Sequence, residues 1–178
     1  TKIVVSPEDD IEVRRTVIVN HSRLQRTLDV TSYAEVILTQ PAADNIHPAF
    51  SNLFVQTEIL EQRRAILCTR RPRSQEEENP WMFHLMAVHG TEATQVSYET
   101  DRMQFIGRGN TVNHPQAMNP AADGFETLSG SQGSVLDPMV SIRSRITLEP
   151  GQSVTIDMIF GIGENRTAAL TLIEKYRD

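Results

Sequence analysis

The 178-residue chain holds one cysteine, Cys68, so no disulfide can form within it. A chain of this length buries roughly 70% of its unfolded surface and folds without such a staple. Positive charge is in deficit: 17 Lys and Arg stand against 23 Asp and Glu, a net charge of −6. Nucleic-acid-binding modules are ordinarily basic, and this balance argues against one. Aromatic residues make up 6%, with one Trp among them. A free-standing carbohydrate-binding module stacks sugars on exposed aromatics, so independent sugar affinity is expected to be weak. No apolar run approaches the ~18 residues of a membrane span, and no signal peptide is visible. An initiator methionine is missing as well; Thr1 leads straight into the strand-like Thr1-Lys2-Ile3-Val4-Val5. The expectation is an excised segment of something longer.

What is present favours β-structure. Val, Ile and Thr are abundant, and their branched side chains suit pleated strands. In residues 11–19, Ile11, Val13, Val17 and Val19 share one face while Glu12, Arg14 and Thr16 share the other. Arg15 breaks the apolar face, which predicts a wet end. Residues 28–38 read as a second strand, with Leu28, Val30, Ala34, Val36 and Leu38 inward and Tyr33 and Glu35 outward. Further strands are expected at 65–70, 81–89, 95–99, 140–148 and 153–160. Glu149-Pro150-Gly151-Gln152 joins the last two; its Pro and Gly fit a type II turn, and a hairpin is expected there. Several short strands with tight turns predict an all-β chain, an antiparallel β-sandwich. Only the C-terminus reads as helical: Asn165 is the N-cap, and Ala169, Leu172, Ile173 and Tyr176 recur at helical spacing. The division is a sandwich over 1–164 and a helix over 165–178. Residues 39–51 and 107–137 read as long irregular loops, usually functional or poorly ordered. Glu76-Glu77-Glu78 reads as a solvated loop tip.

Enzymatic signatures fail in turn. Gly161-Ile162-Gly163-Glu164-Asn165-Arg166 joins a strand to a helix but lacks the third glycine of a dinucleotide loop and a second strand beyond it. The nearest histidine pair, His84 and His89, has an odd separation on one strand. Its members face opposite ways and cannot share a metal. Cys68 reads as a small buried hydrophobe. Gly130-Ser131-Gln132-Gly133-Ser134 lacks the strand and helix of a nucleophile elbow. Asp9-Asp10 and Asp101 lack the spacing of a catalytic carboxylate pair. No catalytic residue, metal ligand or cofactor is expected.

Ordered segments across the chain resemble a known family. They are Glu12-Val13-Arg14 with Asn20-His21-Ser22, Thr31-Ser32-Tyr33-Ala34-Glu35, and Thr69-Arg70-Arg71-Pro72-Arg73-Ser74. Tyr98-Glu99-Thr100-Asp101-Arg102, Phe105-Ile106-Gly107-Arg108-Gly109, Leu136-Asp137-Pro138 and Leu148-Glu149-Pro150-Gly151 follow. Together they resemble the β-sandwich domain of cyclic β-1,2-glucan synthetases, associated with the glycoside hydrolase family 94 and glycosyltransferase 36 phosphorylases. Cellobiose and chitobiose phosphorylases are more distant members. The resemblance implies a supersandwich of galactose-mutarotase-like kind that precedes a helical linker and an (α/α)6 barrel. That barrel carries the catalytic acid and the phosphate site, so this chain alone is expected to be non-catalytic. Its parent would be a transferase of the bacterial inner membrane, with this domain on the cytoplasmic side. The expected partners are the barrel, strands upstream of Thr1 and, weakly, β-glucan. Direct membrane contact is not expected. If those upstream strands are missing, an exposed sheet edge predicts a homodimer.

Asp101-Arg102-Met103-Gln104-Phe105-Ile106-Gly107-Arg108 resembles the family's D-R-x-x-F-x-G-R. It lies between a strand and a glycine-rich loop that could aim side chains at a neighbouring domain. Arg108 could offer its planar fork to sugar hydroxyls, with Arg102, Asp101 and Asn113 beside it. The structural alternative pairs Asp101 with Arg102 or Arg108 to fasten the loop. Trp81, opening a strand after Pro80, is the remaining carbohydrate-facing candidate, with buried packing as its alternative role. The leading expectation is a non-catalytic domain that braces the barrel and lines its glucan site. An independent carbohydrate-binding module is the rival. A mutarotase-type enzyme is a third reading, which would need His84 with Glu99 or Asp101 to converge.

Overall fold

Alternating segments become strands, and their register decides what each face meets. The computed structural model describes residues 1–72, 74, 77, 79–119 and 127–177. A six-stranded antiparallel sheet runs β1 (Lys2–Val5), β2 (Ile11–Val19), β10 (Ser153–Gly163), β7 (Trp81–His89), β6 (Ala65–Arg70), β5 (Val55–Leu60). In the second sheet β9 (Pro138–Leu148) is central. Its one edge pairs with β8 (Gln95–Asp101), and its other edge with β3 (Arg26–Thr31) and β4 (Ala34–Glu35) in succession.

The sheets close on a core of Ile66, Cys68, Met86, Ile142, Ile146, Leu148, Val154 and Ile156. Leu28, Val30, Ala34, Val36 and Leu38 all face it, as the alternation predicts. The expected single strand is nevertheless broken between β3 and β4. Ser32 turns inward at the break: its Oγ accepts from Ile142 N–H at 2.9 Å, while its own N–H donates to Ile142 O at 3.0 Å. A side-chain oxygen thus stands in for a ladder carbonyl.

The type II turn forms as expected, with Gly151 at φ 78° and Gln152 N–H donating to Glu149 O at 3.0 Å. The hairpin does not. β9 pairs with β3, β4 and β8, whereas β10 pairs with β2 and β7, so the turn carries the chain from one sheet to the other. Both strands point apolar side chains into the same core, which rewards facing across it over pairing side by side.

Helix α4 (Arg166–Tyr176) covers the other face of the six-stranded sheet. Asn165 Oδ1 accepts from Ala168 N–H at 2.9 Å, the expected cap. Ala169 and Ile173 pack on Ile11, Phe83, Leu85 and Ile159. Beyond the helix this face turns wet, as Arg15 predicted: Arg15 forks onto Asp157 at 2.8 and 2.7 Å, and Val17 lies exposed.

The stretch expected to be irregular over 39–51 instead holds α1 (Pro41–Ile46) and α2 (Pro48–Asn52). Both open on proline, whose fixed φ suits a first helical turn. β5 was not anticipated, and neither was α3 (Arg102–Ile106). Glu77 is exposed, while Glu76 and Glu78 of the acidic run and residues 120–126 of the second long loop lie outside the described residues.

Candidate functional site

The end of the sandwich where β8 stops and β9 starts gathers most of the expected residues. A register shift between Glu99 and Asp101 ends the β8 ladder, and Asp101 caps α3 by accepting Met103 N–H at 2.8 Å. The helix tucks Phe105 and Ile106 against Leu128 and Met139. It stops at Gly107, φ 79°, where a Cβ would meet Gln116.

Arg102 is held by three side chains. Its Nε donates to Glu35 Oε1 at 2.9 Å and to Tyr33 Oη at 3.2 Å, and its Nη1 to Asp137 Oδ2 at 3.3 Å. Tyr33 Oη donates to Glu35 Oε1 at 2.9 Å. The phenol of Tyr33 is raised above its ordinary value, first by burial and then by the Glu35 carboxylate. The Arg102 guanidinium is raised too, chiefly by its bond with Tyr33. The Asp101–Arg fastener weighed in the sequence does not form: Asp101 takes a backbone amide, and Arg102 instead ties to Tyr33, Glu35 and Asp137. Those three were missed as site residues, although the outward pair Tyr33 and Glu35 was readable from strand alternation.

Arg108 is exposed and has no hydrogen bond or ion pair among the described residues. Asn113 lines an open pocket of about 360 Å³ with Tyr33, Phe105, His114 and Met118. Trp81 is not part of this group. It opens β7 in the other sheet, packs against the cluster under α4, and lines a separate groove of about 440 Å³.

Apolar surface adjoins the Arg102 network. Asn52 Nδ2 donates to Asp137 Oδ1 at 3.2 Å, which places α2 beside it. Ile46, Phe50, Leu53 and Leu136 are exposed by 69%, 58%, 43% and 72%. Soluble surfaces seldom leave several large apolar side chains together without an interaction to serve.

The pair that mutarotase chemistry needs does not form. His84 is fully buried between the sheets. Its Nδ1–H donates to Ile159 O at 3.1 Å, leaving Nε2 to accept from the Ser32 hydroxyl at 2.7 Å. Burial, with help from the charge of Arg14, lowers its pKa to about 4, so the imidazole is neutral. Tyr98 of β8 points into the core, so Glu99 beside it points away from His84. The Glu99 carboxylate accepts Thr100 N–H and Asp101 N–H, each at 2.9 Å, and the Ser129 hydroxyl. Cys68 is buried and its thiol is pushed upward by desolvation, an inert hydrophobe as expected. Among the described residues no group of His, Cys, Asp and Glu could hold a metal.

Comparison with known proteins follows the same lines. The family described as glycosyl hydrolase 94, supersandwich domain, matches residues 1–178. The chain is 34% identical over 174 residues to the cyclic beta-(1,2)-glucan synthase NdvB of Rhizobium meliloti (strain 1021), covering 98% of this chain and 6% of that protein. It is 24% identical over 174 residues to the solabiose phosphorylase of Paenibacillus borealis, covering 98% of this chain and 21% of that protein. The chain thus spans a small part of either relative.

Proposed function

The chain belongs to the glycosyl hydrolase 94 supersandwich family, and we propose that it is the non-catalytic sandwich domain of a bacterial cyclic β-1,2-glucan synthase. Its task is to brace a catalytic (α/α)6 barrel and to wall one side of that barrel's glucan site. The observation that carries this reading is the apolar surface of Ile46, Phe50, Leu53 and Leu136 beside an anchored Arg102. A barrel docked there buries the apolar side chains. Arg108, uncommitted among the described residues, then reaches toward the sugar. The parent protein sits in the inner membrane with this domain on the cytoplasmic side. Among the described residues no helix is long and apolar enough to cross a membrane. Homodimerisation along the edge of β1 that no described strand pairs is part of the same reading, supported by the exposure of Ile3, Val4 and Val5.

The test uses the barrel expressed separately. It should bind the wild-type chain and lose at least about tenfold in affinity for the Phe50→Asp, Leu53→Asp double variant, since each change removes one to two kcal/mol of apolar burial. Equal binding by both chains overturns the bracing surface. In NMR titrations of the complex with β-1,2-glucan oligosaccharides, shifts should gather over residues 102–113 and disappear in Arg108→Ala. Shifts unaffected by that change overturn the wall.

A further inference from the structure

The groove at Trp81 lies apart from the Arg102 end and is built differently. Strand register lays Gln56, Thr69, Trp81 and Gly163 in one cross-strand row, each opposite the next. All four sit on the sheet face that α4 covers, just beyond the helix N-terminus. Neighbouring strands are about 4.8 Å apart, so Gln56 to Trp81 spans about 10 Å of pleated floor. At the end of the row the α4 backbone at Ala168 and Ala169 occupies the space a Gly163 side chain would take, so the row stops against the helix. Glu164 and Asn165 form the wall on the helix side, and Arg166 next to them is tied to Glu58 at 2.5 and 3.2 Å.

The chemistry of this lining selects a ligand class. Gln56, Thr69 and Glu164 present amide, hydroxyl and carboxylate groups beside an indole that is only partly buried. Asn79 Nδ2 is enclosed at the rim and has no hydrogen-bond partner among the described residues. An enclosed amide donor left without a partner is costly, and a ligand oxygen would satisfy it. Anionic ligands are disfavoured: Glu77 and Glu164 face the groove, and the one cation among the described lining residues, Arg70, is buried and bonded to Ser51. A flat apolar ring among neutral and acidic hydrogen-bonding groups suits a neutral polyhydroxylated ring.

We propose that this groove is a saccharide site in its own right, in which a pyranose lies against Trp81 and bonds through its hydroxyls to Gln56, Glu164 and Asn79. The site goes beyond the bracing role, because it needs neither the barrel nor Arg108. Only the choice of a β-1,2 linkage for the probe rests on the proposed function.

Trp81 is the chain's single tryptophan, so the tryptophan emission comes wholly from a residue lining this groove. Titration of the isolated chain with a β-1,2-linked glucose trisaccharide should change that emission saturably at millimolar sugar. Gln56→Ala and Glu164→Gln should each weaken the half-saturation point about five- to tenfold, the size of one hydrogen bond to a charged or buried group. Arg108→Ala should leave it unchanged, and thermal melts of all three variants should match the parent chain. A silent emission overturns the site, as does an equal response to acyclic sorbitol. A response lost in Arg108→Ala but kept in Gln56→Ala overturns it too. The bracing reading stands or falls separately, on barrel binding.

Discussion

His84 shows how the residue that a mutarotase reading would need can be committed to structure. Its two ring nitrogens join the two sheets, one bonded to Ile159 of β10 and the other to Ser32 beside β9. Ser32 in turn occupies a ladder position, so the imidazole supports the break between β3 and β4. Its pKa is lowered from 6.5 to about 4. The unfolded chain therefore takes up a proton below about pH 6.5 that the folded chain refuses until about pH 4. Stability is unaffected by this group at neutral pH and falls as pH drops through that window. His84→Phe should flatten the decline in Tm between about pH 6.5 and 5. It should also lower Tm at neutral pH, because the Ser32 hydroxyl and Ile159 carbonyl lose their partner at about 1–3 kcal/mol. A wild-type Tm that is level across the window would remove the buried neutral histidine from this account. Arg102 makes the same point from the other direction. Its residue type was readable as functional, but its partners Tyr33, Glu35 and Asp137 come from distant parts of the chain, which no local pattern reveals.

Among elements, α4 and the last strand depend on glycine in a way that explains a misleading motif. Gly161 and Gly163 superficially match a dinucleotide loop, yet each is a point of close approach. A Cβ on Gly163 would come within 2.6 Å of the Ala169 nitrogen and 2.9 Å of its Cα, and backbone atoms cannot move aside as a side-chain tip can. Gly163→Ala should therefore push α4 off the sheet and cost about 1–3 kcal/mol, the range for overpacking. Trp81 lies opposite Gly163 and packs in the same cluster, so its emission should shift to the red as Tm falls. An unchanged melt and emission would show the helix seated with slack. Elements set by local signals were legible in the sequence: the alternation of 11–19 and 28–38, the type II turn, and the Asn165 cap. Elements set by distant choices were not. No local residue says that β10 takes β2 and β7 as partners and leaves β9 across the core. Five- and six-residue helices such as α1 and α2 are too short to show a period, and only their prolines gave a sign. Within the candidate site, Asp101 and Arg102 were visible by type, whereas the separation of Trp81 from them emerges only when the two sheets are assigned.

For the whole molecule, the edges of the sheets decide how it meets its neighbours. The β5 edge is blocked: Thr57 exchanges both backbone hydrogen bonds with Gly133, at 3.0 and 2.8 Å, and Ile59 N–H donates to Gln132 Oε1 at 2.8 Å. Beside β8, Gly130 N–H donates to Tyr98 O at 2.9 Å and performs the same service. β1 differs. It pairs with β2 on one side, and no strand among the described residues pairs with its other side. Ile3, Val4 and Val5 are exposed by 62%, 58% and 68%, and within the strand only Lys2 carries the charge that ordinarily guards an edge. Two copies related by a two-fold axis can pair these edges antiparallel and continue the sheet through both molecules. A strand of four residues supplies few hydrogen bonds and little area, so the association should be weak and concentration-dependent. Light scattering should show the apparent mass rising from 20.0 kDa toward twice that value with concentration. Ile3→Lys with Val5→Lys should hold the mass at the monomer value while leaving Tm within about a degree, since both side chains are already in water. A mass that stays monomeric throughout would leave the β1 edge unused by a second copy, and a rise that survives the lysines would move the interface to another face.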